Sequence, residues 1–361
     1  MKKSIKLFKL FGIDIEIHYS WFFVFLLLAW GLSSYFFPES YPSLTKMQYW
    51  TLGIVSSLFL FASVLIHELS HSLVAKKFNI GVSKITLFFF GGIANITGEE
   101  KLTPKKEFSM AIAGPLASLA IALGFWLVFS YSSLVYVKAI SHYLYTINFV
   151  LALFNMAPGY PLDGGRVLRS VIWGITKDVN KATKIASTGG KIVAGALVVY
   201  GFFTLNMFMI GLGVFLYFIA GASYEQMTIR DALANVKVGE VMIREVKTVN
   251  PELSLADLFQ NFFLKYGAEG AMVAKDKVFL GVITVNELKK IPKQRWPKTK
   301  VKDVLINADK IPAAKETDKA LAVLSRMTRA GIDAMPVIKN KKLVGAVSTA
   351  TLVRYAKLEI S

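Results

Sequence analysis

The sequence predicts a polytopic α-helical membrane domain with about six transmembrane helices, followed by a soluble α/β domain. Three observations carry that prediction. The 361 residues are 54% hydrophobic and 18% charged, with a mean hydropathy of +0.49, whereas soluble chains average about 45–50% apolar and about 25% charged. The charge is also unevenly placed: residues 1–225 carry 18 basic and 10 acidic groups between long apolar stretches, and residues 226–361 carry 24 and 14 in ordinary soluble proportion. Finally, the second part repeats itself at an interval of 63–64 residues. An entirely soluble protein is therefore excluded, and the domain boundary is expected after Glu225.

A span needs about 20 predominantly apolar residues, and such stretches lie near 20–37, 49–75, 108–131, 134–157, 186–205 and 207–223. Lys2, Lys3, Lys6 and Lys9 precede the first. Lys76, Lys77, Lys84, Lys101, Lys105 and Lys106 follow the second, and Arg166, Arg169, Lys177, Lys181 and Lys184 follow the fourth, while the opposite loops offer only Lys46 and Lys138. The positive-inside rule then puts both termini and the soluble domain in the cytoplasm, in a cell membrane whose cytoplasmic leaflet is anionic. The stretch after Trp21 lacks a small-residue cleavage site and reads as a retained span. The net charge of +18 comes without a basic run interleaved with aromatics, so no nucleic-acid partner is expected. With no cysteine, thiolate chemistry and Cys-ligated metal are excluded, and any metal must rest on His, Asp or Glu.

Near the cytoplasmic end of the second span the sequence reads His67-Glu68-Leu69-Ser70-His71. Ionisable groups inside a span are costly and mark functional sites. On a helix His67 and His71 lie one turn apart, so both imidazoles can reach one ion, and Glu68 stands beside them as a general base. This is HExxH, the arrangement of zinc hydrolases. A tetrahedral zinc needs a third protein ligand, with the fourth position open to water. Asp163, in Pro158-Gly-Tyr-Pro-Leu-Asp-Gly-Gly165 just past the fourth span, is the candidate. Taken alone it reads as a cap for a helix beginning at Gly165; beside HExxH it becomes a ligand. His142 has no partner motif and reads as structural, and His18 as interfacial.

These motifs resemble the site-2 protease family of intramembrane zinc metalloproteases, over roughly residues 10–225. HExxH matches at His67, Glu68 and His71, and the later Asn…Pro-Leu-Asp-Gly-Gly form at Asn155, Pro161, Asp163 and Gly164; Ala113-Gly114-Pro115 and Gly91-Gly92 add to it. The resemblance implies one zinc per chain on His67, His71 and Asp163, and hydrolysis of a peptide bond within or next to a transmembrane segment of a membrane-protein substrate. It also makes Asn155 an oxyanion donor, with a helix C-cap as the other reading. Between the second and third spans, two β-prone runs around Gly91-Gly92 predict a β-hairpin, expected to hold substrate as an added strand, with a hairpin that only packs over the site as the other reading.

In the soluble part, Val238-Gly-Glu-Val-Met242 returns as Val301-Lys-Asp-Val-Leu305, and the segment 278–284 returns at 342–348. Such a repeat is a small α/β unit. It resembles a tandem pair of CBS domains, at about 237–291 and 300–357, modules that in many proteins bind adenine nucleotides (ATP, ADP or AMP) and regulate an attached enzyme or transporter. The resemblance assigns phosphate contact to Thr284 and Ser348 and ribose contact to the positions held by Glu287 and Thr351. Thr replaces the acid at 351, so at most one good nucleotide site is expected. CBS pairs often associate, which predicts a homodimer. The rival reading is a CBS-regulated ion transporter or channel built on the same ionisable cluster.

Overall fold

The computed structural model describes residues 4–89, 91–97 and 102–360; Lys2, Lys3 and Lys101, used above to orient the loops, and Phe90 lie outside them. The chain divides into two compact units, residues 1–225 and 226–361.

In the first unit, among the described residues, six helical stretches are long and apolar enough to cross a membrane. The first joins α1 (Ser20–Gly31), a π-helical turn at Leu32–Phe36 and α2 (Phe37–Ser40). The others are α3 (Lys46–Lys77), α4 (Pro104–Tyr131), α5 (Val135–Asn155), α7 (Val179–Phe203) and α8 (Met207–Leu233), of which residues 207–225 fall in this unit. A shorter amphipathic helix, α6 (Asp163–Thr176), lies between α5 and α7. The starts follow local chemistry. Thr45 and Gln48 form a capping box at α3, Thr103 accepts from the Lys106 amide ahead of Pro104 at α4, and Asp178 accepts from the Lys181 amide at α7. That Asp178 cap starts the fifth span seven residues before the expected 186.

The expected hairpin is present as β3 (Gly81–Phe88) and β4 (Gly91–Thr97), but it is half of a larger sheet. Residues before the first span, for which the sequence reading gives no strands, form β1 (Ser4–Leu10) and β2 (Ile13–His18). The order is β1-β2-β3-β4, with β2 and β3 parallel and the other pairs antiparallel. Apolar Ile13, Ile15 and Ile17 alternate with Asp14, Glu16 and His18, so one face of β2 is buried and the other is not. That period of two is a strand signal. Ile13, Ile15, Val82 and Ile85 pack with Leu69 and Ala75 of α3 and Met110 of α4, so the sheet buttresses the helix that carries HExxH. His142 sits among the rings of Phe36, Tyr41, Phe129 and Tyr145, with its Nδ1 3.3 Å from the Tyr41 hydroxyl.

The second unit holds two pseudo-equivalent halves on one sheet. The first has α9 (Val238–Val241), β5 (Thr248–Val249), α10 (Leu255–Leu258, continued as a π-helix to Leu264), β6 (Gly270–Lys275), β7 (Val278–Thr284) and α11 (Val285–Lys289). The second has β8 (Ile306–Asn307), α12 (Ala320–Ala330), β9 (Ala334–Lys339), β10 (Lys342–Ser348) and α13 (Thr349–Ile360). The halves exchange segments: Ile243 of the first pairs with Ala346 of the second, and Ile306 of the second pairs with Val282 of the first. Each half has its own apolar core.

Candidate metal centre

Helix α3 brings His67 and His71 together as the four-residue spacing requires, with their Nε2 atoms 3.2 Å apart. The third group arrives on α6. Leu162, not Asp163, occupies the N-cap position and makes no side-chain cap bond, so Asp163 is the first helical residue and its carboxylate is free for other work. That work is visible: Asp163 Oδ2 lies 3.1 Å from both Nε2 atoms. All three side chains are largely withdrawn from solvent.

The backs of the two rings face α4. His71 Nδ1 lies 2.6 Å from the Met110 carbonyl, and His67 Nδ1 2.9 Å from the Ser118 hydroxyl. A carbonyl can only accept, so His71 carries a proton on Nδ1, and in the neutral ring that leaves Nε2 bare towards Asp163. The three donor atoms define a triangle with edges of 3.1–3.2 Å. Ligands at about 2.0–2.1 Å from a tetrahedral zinc stand about 3.3–3.4 Å apart, so the donor set fits that ion once its edges open by about 0.2 Å. Gly114, between Met110 and Ser118, makes the room: a β-carbon there would stand 2.6 Å from His67 Nε2.

Glu68 lies beside this cluster and under the edge strand. A β-carbon on Gly92 of β4 would fall 2.9 Å from Glu68 Cδ, so the hairpin backbone rests directly on the carboxylate. The loop before Asp163 is held by glycines on α7. The Tyr160 amide donates to the Ala186 carbonyl at 3.0 Å, and Gly189 and Gly190 leave no space for a side chain against Pro158 and Tyr160. A buried ion pair ties α6 to α4: Arg169 Nη1 meets Glu107 Oε1 at 2.8 Å while Arg169 Nε donates to Thr183 of α7. Arg169, counted above among loop charges, is thus internal. Asn155 ends α5, half-buried, and its Nδ2 donates to the Leu151 carbonyl one turn back.

Sequence reasoning missed Ser118, the Met110 carbonyl, Gly189-Gly190 and the Glu107–Arg169 pair. Only the last had a usable signal, since opposite charges in two mostly apolar segments call for partners.

The chain was compared with known proteins. The profile of Peptidase family M50 matches residues 55–141 and 134–199. A Synechocystis protein provisionally named a zinc metalloprotease is 31% identical over 98% of this chain and 96% of its own length. The chain belongs to peptidase family M50. A zinc metalloprotease of Methanocaldococcus jannaschii is 30% identical over 98% of this chain and 96% of that one. A solved site-2 protease from the same organism is 33% identical, covering 61% of this chain and 94% of that one, with a TM-score of 0.44. This M50 member is therefore a multi-pass membrane zinc metalloprotease, and the transporter reading is not favoured.

The CBS domain profile matches residues 238–293 and 301–358 of the same chain. In each half the hydroxyl that closes the last strand touches the residue three positions on. Thr284 Oγ1 donates to Glu287, which also takes Lys290 Nζ at 2.8 Å; Ser348 and Thr351 hydroxyls lie 2.8 Å apart. The Lys290 ammonium and the Thr284 hydroxyl hold the Glu287 carboxyl below its usual range, so it is ionised at neutral pH.

Proposed function

We propose that this M50 protein is an intramembrane endopeptidase, hydrolysing a peptide bond within or next to a transmembrane segment of a membrane-protein substrate. The observation that carries the reading is the convergence of His67, His71 and Asp163 beside Glu68 on a membrane-length helix. His67 Nε2, His71 Nε2 and Asp163 Oδ2 would hold the zinc. Zinc in that position supplies a Lewis acid for the scissile carbonyl and brings the pKa of bound water towards about 7. Glu68 takes the proton of the attacking water on its carboxylate and passes it to the leaving amine nitrogen. Asn155 spends one amide N–H on Leu151, and the second N–H of its Nδ2 is the donor for the developing oxyanion.

Strand β4 ends the sheet order, so a substrate segment can pair along it in extended form while Gly92 keeps it close to Glu68. The basic loops orient both termini and the CBS pair towards the cytoplasm. There the CBS pair binds one adenine nucleotide, with Thr284 on phosphate and Glu287 on the ribose hydroxyls, and contributes to a homodimer.

The test is mass-spectrometric mapping of products from a panel of single-span proteins in liposomes. Cuts inside a span or within a turn of its end support the proposal; cuts confined to soluble segments refute it.

A further inference from the structure

Helix α4 presents three residues at successive turns to the metal cluster: Met110, Gly114 and Ser118. Met110 fixes the His71 tautomer through its backbone, and Gly114 supplies space. The role of Ser118 is open to chemical argument because a hydroxyl can either donate or accept. If Ser118 donates to His67 Nδ1, the ring carries its proton on Nε2. That proton then points at Asp163 Oδ2, 3.1 Å away, and the cluster satisfies itself without an ion. If Ser118 accepts from Nδ1, His67 turns a bare Nε2 inward, matching His71.

We propose that Ser118 is the positioning residue that makes His67 a metal ligand: its hydroxyl accepts the Nδ1 proton and so pays the hydrogen-bond cost of the ligating tautomer. The inference rests on the zinc reading above and goes beyond it to a residue outside the ligand set. Burial gives it force. Ser118 is fully buried and His67 is 4% exposed, so water has no ready path to replace the hydroxyl. Without it, the ligating tautomer carries a buried N–H with no acceptor. The other tautomer still has Asp163 to bond, so the penalty falls on the zinc-bound state more than on the ion-free one. The oriented partner of a ligating imidazole typically changes metal affinity about 10–100-fold.

The experiment is competition for zinc between full-length protein in detergent and a fluorescent chelator, for wild type, Ser118→Ala and Ser118→Thr. Wild type should hold one zinc per chain. Ser118→Ala should raise the zinc Kd about 10–100-fold, and Ser118→Thr, which keeps the hydroxyl, should stay much closer to wild type. The zinc-free Ser118→Ala protein should still melt cooperatively, with a loss of stability smaller than its loss of zinc-binding free energy, which separates the effect from misfolding. Equal zinc affinity for wild type and Ser118→Ala overturns the role of Ser118 while leaving the zinc site intact. Equal weakness of Ser118→Thr and Ser118→Ala shows that the hydroxyl is not the cause. Wild type that holds no zinc overturns both the inference and the reading on which it rests.

Discussion

Gly114 on α4 meets His71 on α3 with no side-chain volume between them: a β-carbon at 114 would press on the imidazole Nε2 and stand 2.6 Å from its Cε1. The glycine therefore belongs to the candidate metal centre as much as His67, His71 and Asp163 do. Helix backbones hold both sides of this contact, so an added methyl has to displace a ring.

Gly114→Ala should accordingly hold far less than one zinc per chain while keeping the helical content of wild type. Metal analysis alongside far-ultraviolet circular dichroism checks it. Full zinc occupancy in the variant would show that the rings can yield.

Gly92→Ala acts on the other functional group. Its β-carbon would fall 2.9 Å from Glu68 Cδ, and the flexible carboxylate side chain is what moves. Zinc content should stay near that of wild type while kcat falls about 10²-fold or more, the scale of a misplaced general base. A rate unchanged within twofold would remove the contact from the account of catalysis.

The Glu107–Arg169 pair is buried on both sides, with side chains 2% and 4% exposed. Arg169→Met leaves Glu107 without its cation in a low-dielectric interior, which should cost about 3–5 kcal/mol of stability in detergent. The double variant Glu107→Leu, Arg169→Met should recover a large part of that loss. Thermal unfolding of the three proteins measures it.

In the CBS pair, Glu287→Ala should abolish adenine nucleotide binding by the full-length protein, and Thr351→Asp should add affinity at the second half. Calorimetric titration with ATP, ADP and AMP reads both. Wild-type protein giving no heat at millimolar nucleotide would end the nucleotide proposal.

A pH prediction follows from Glu252. Lys300 and Lys302 reach its carboxylate at 2.6 and 2.8 Å and bring its pKa down to about 2 from an ordinary 4.5. A carboxyl lowered on folding stabilises fully above the unfolded-state value and loses that contribution as pH falls through the folded one. The melting-temperature advantage of wild type over Glu252→Gln should hold above about pH 5 and shrink towards pH 2. A constant difference across that window would contradict it.

Much of this was legible in the sequence because strong constraints leave strong patterns. A span needs about 20 apolar residues, so the six helices showed themselves, and HExxH one turn from end to end placed two candidate ligands on one face. Asp163 was readable as the third candidate because its carboxylate stands in a Pro- and Gly-rich turn just past a span, and the structure brings it to both imidazoles. The strands β1 and β2 were hidden by their neighbour: Ile13–His18 runs almost directly into α1, and the apolar span masked a six-residue alternation. Ser118 and the Met110 carbonyl left no trace at all. A serine in an apolar helix and a backbone oxygen carry no signal until α3 and α4 are packed together.

The most direct measurement compares wild type with Glu68→Gln, with zinc quantified in both, on a single-span substrate that wild type cuts. The predicted result is about one zinc per chain in each protein and a loss of cleavage of at least about 10²-fold in the variant. Cleavage by Glu68→Gln at the wild-type rate, with zinc equal in both, would contradict the metalloprotease chemistry built on His67, Glu68, His71 and Asp163.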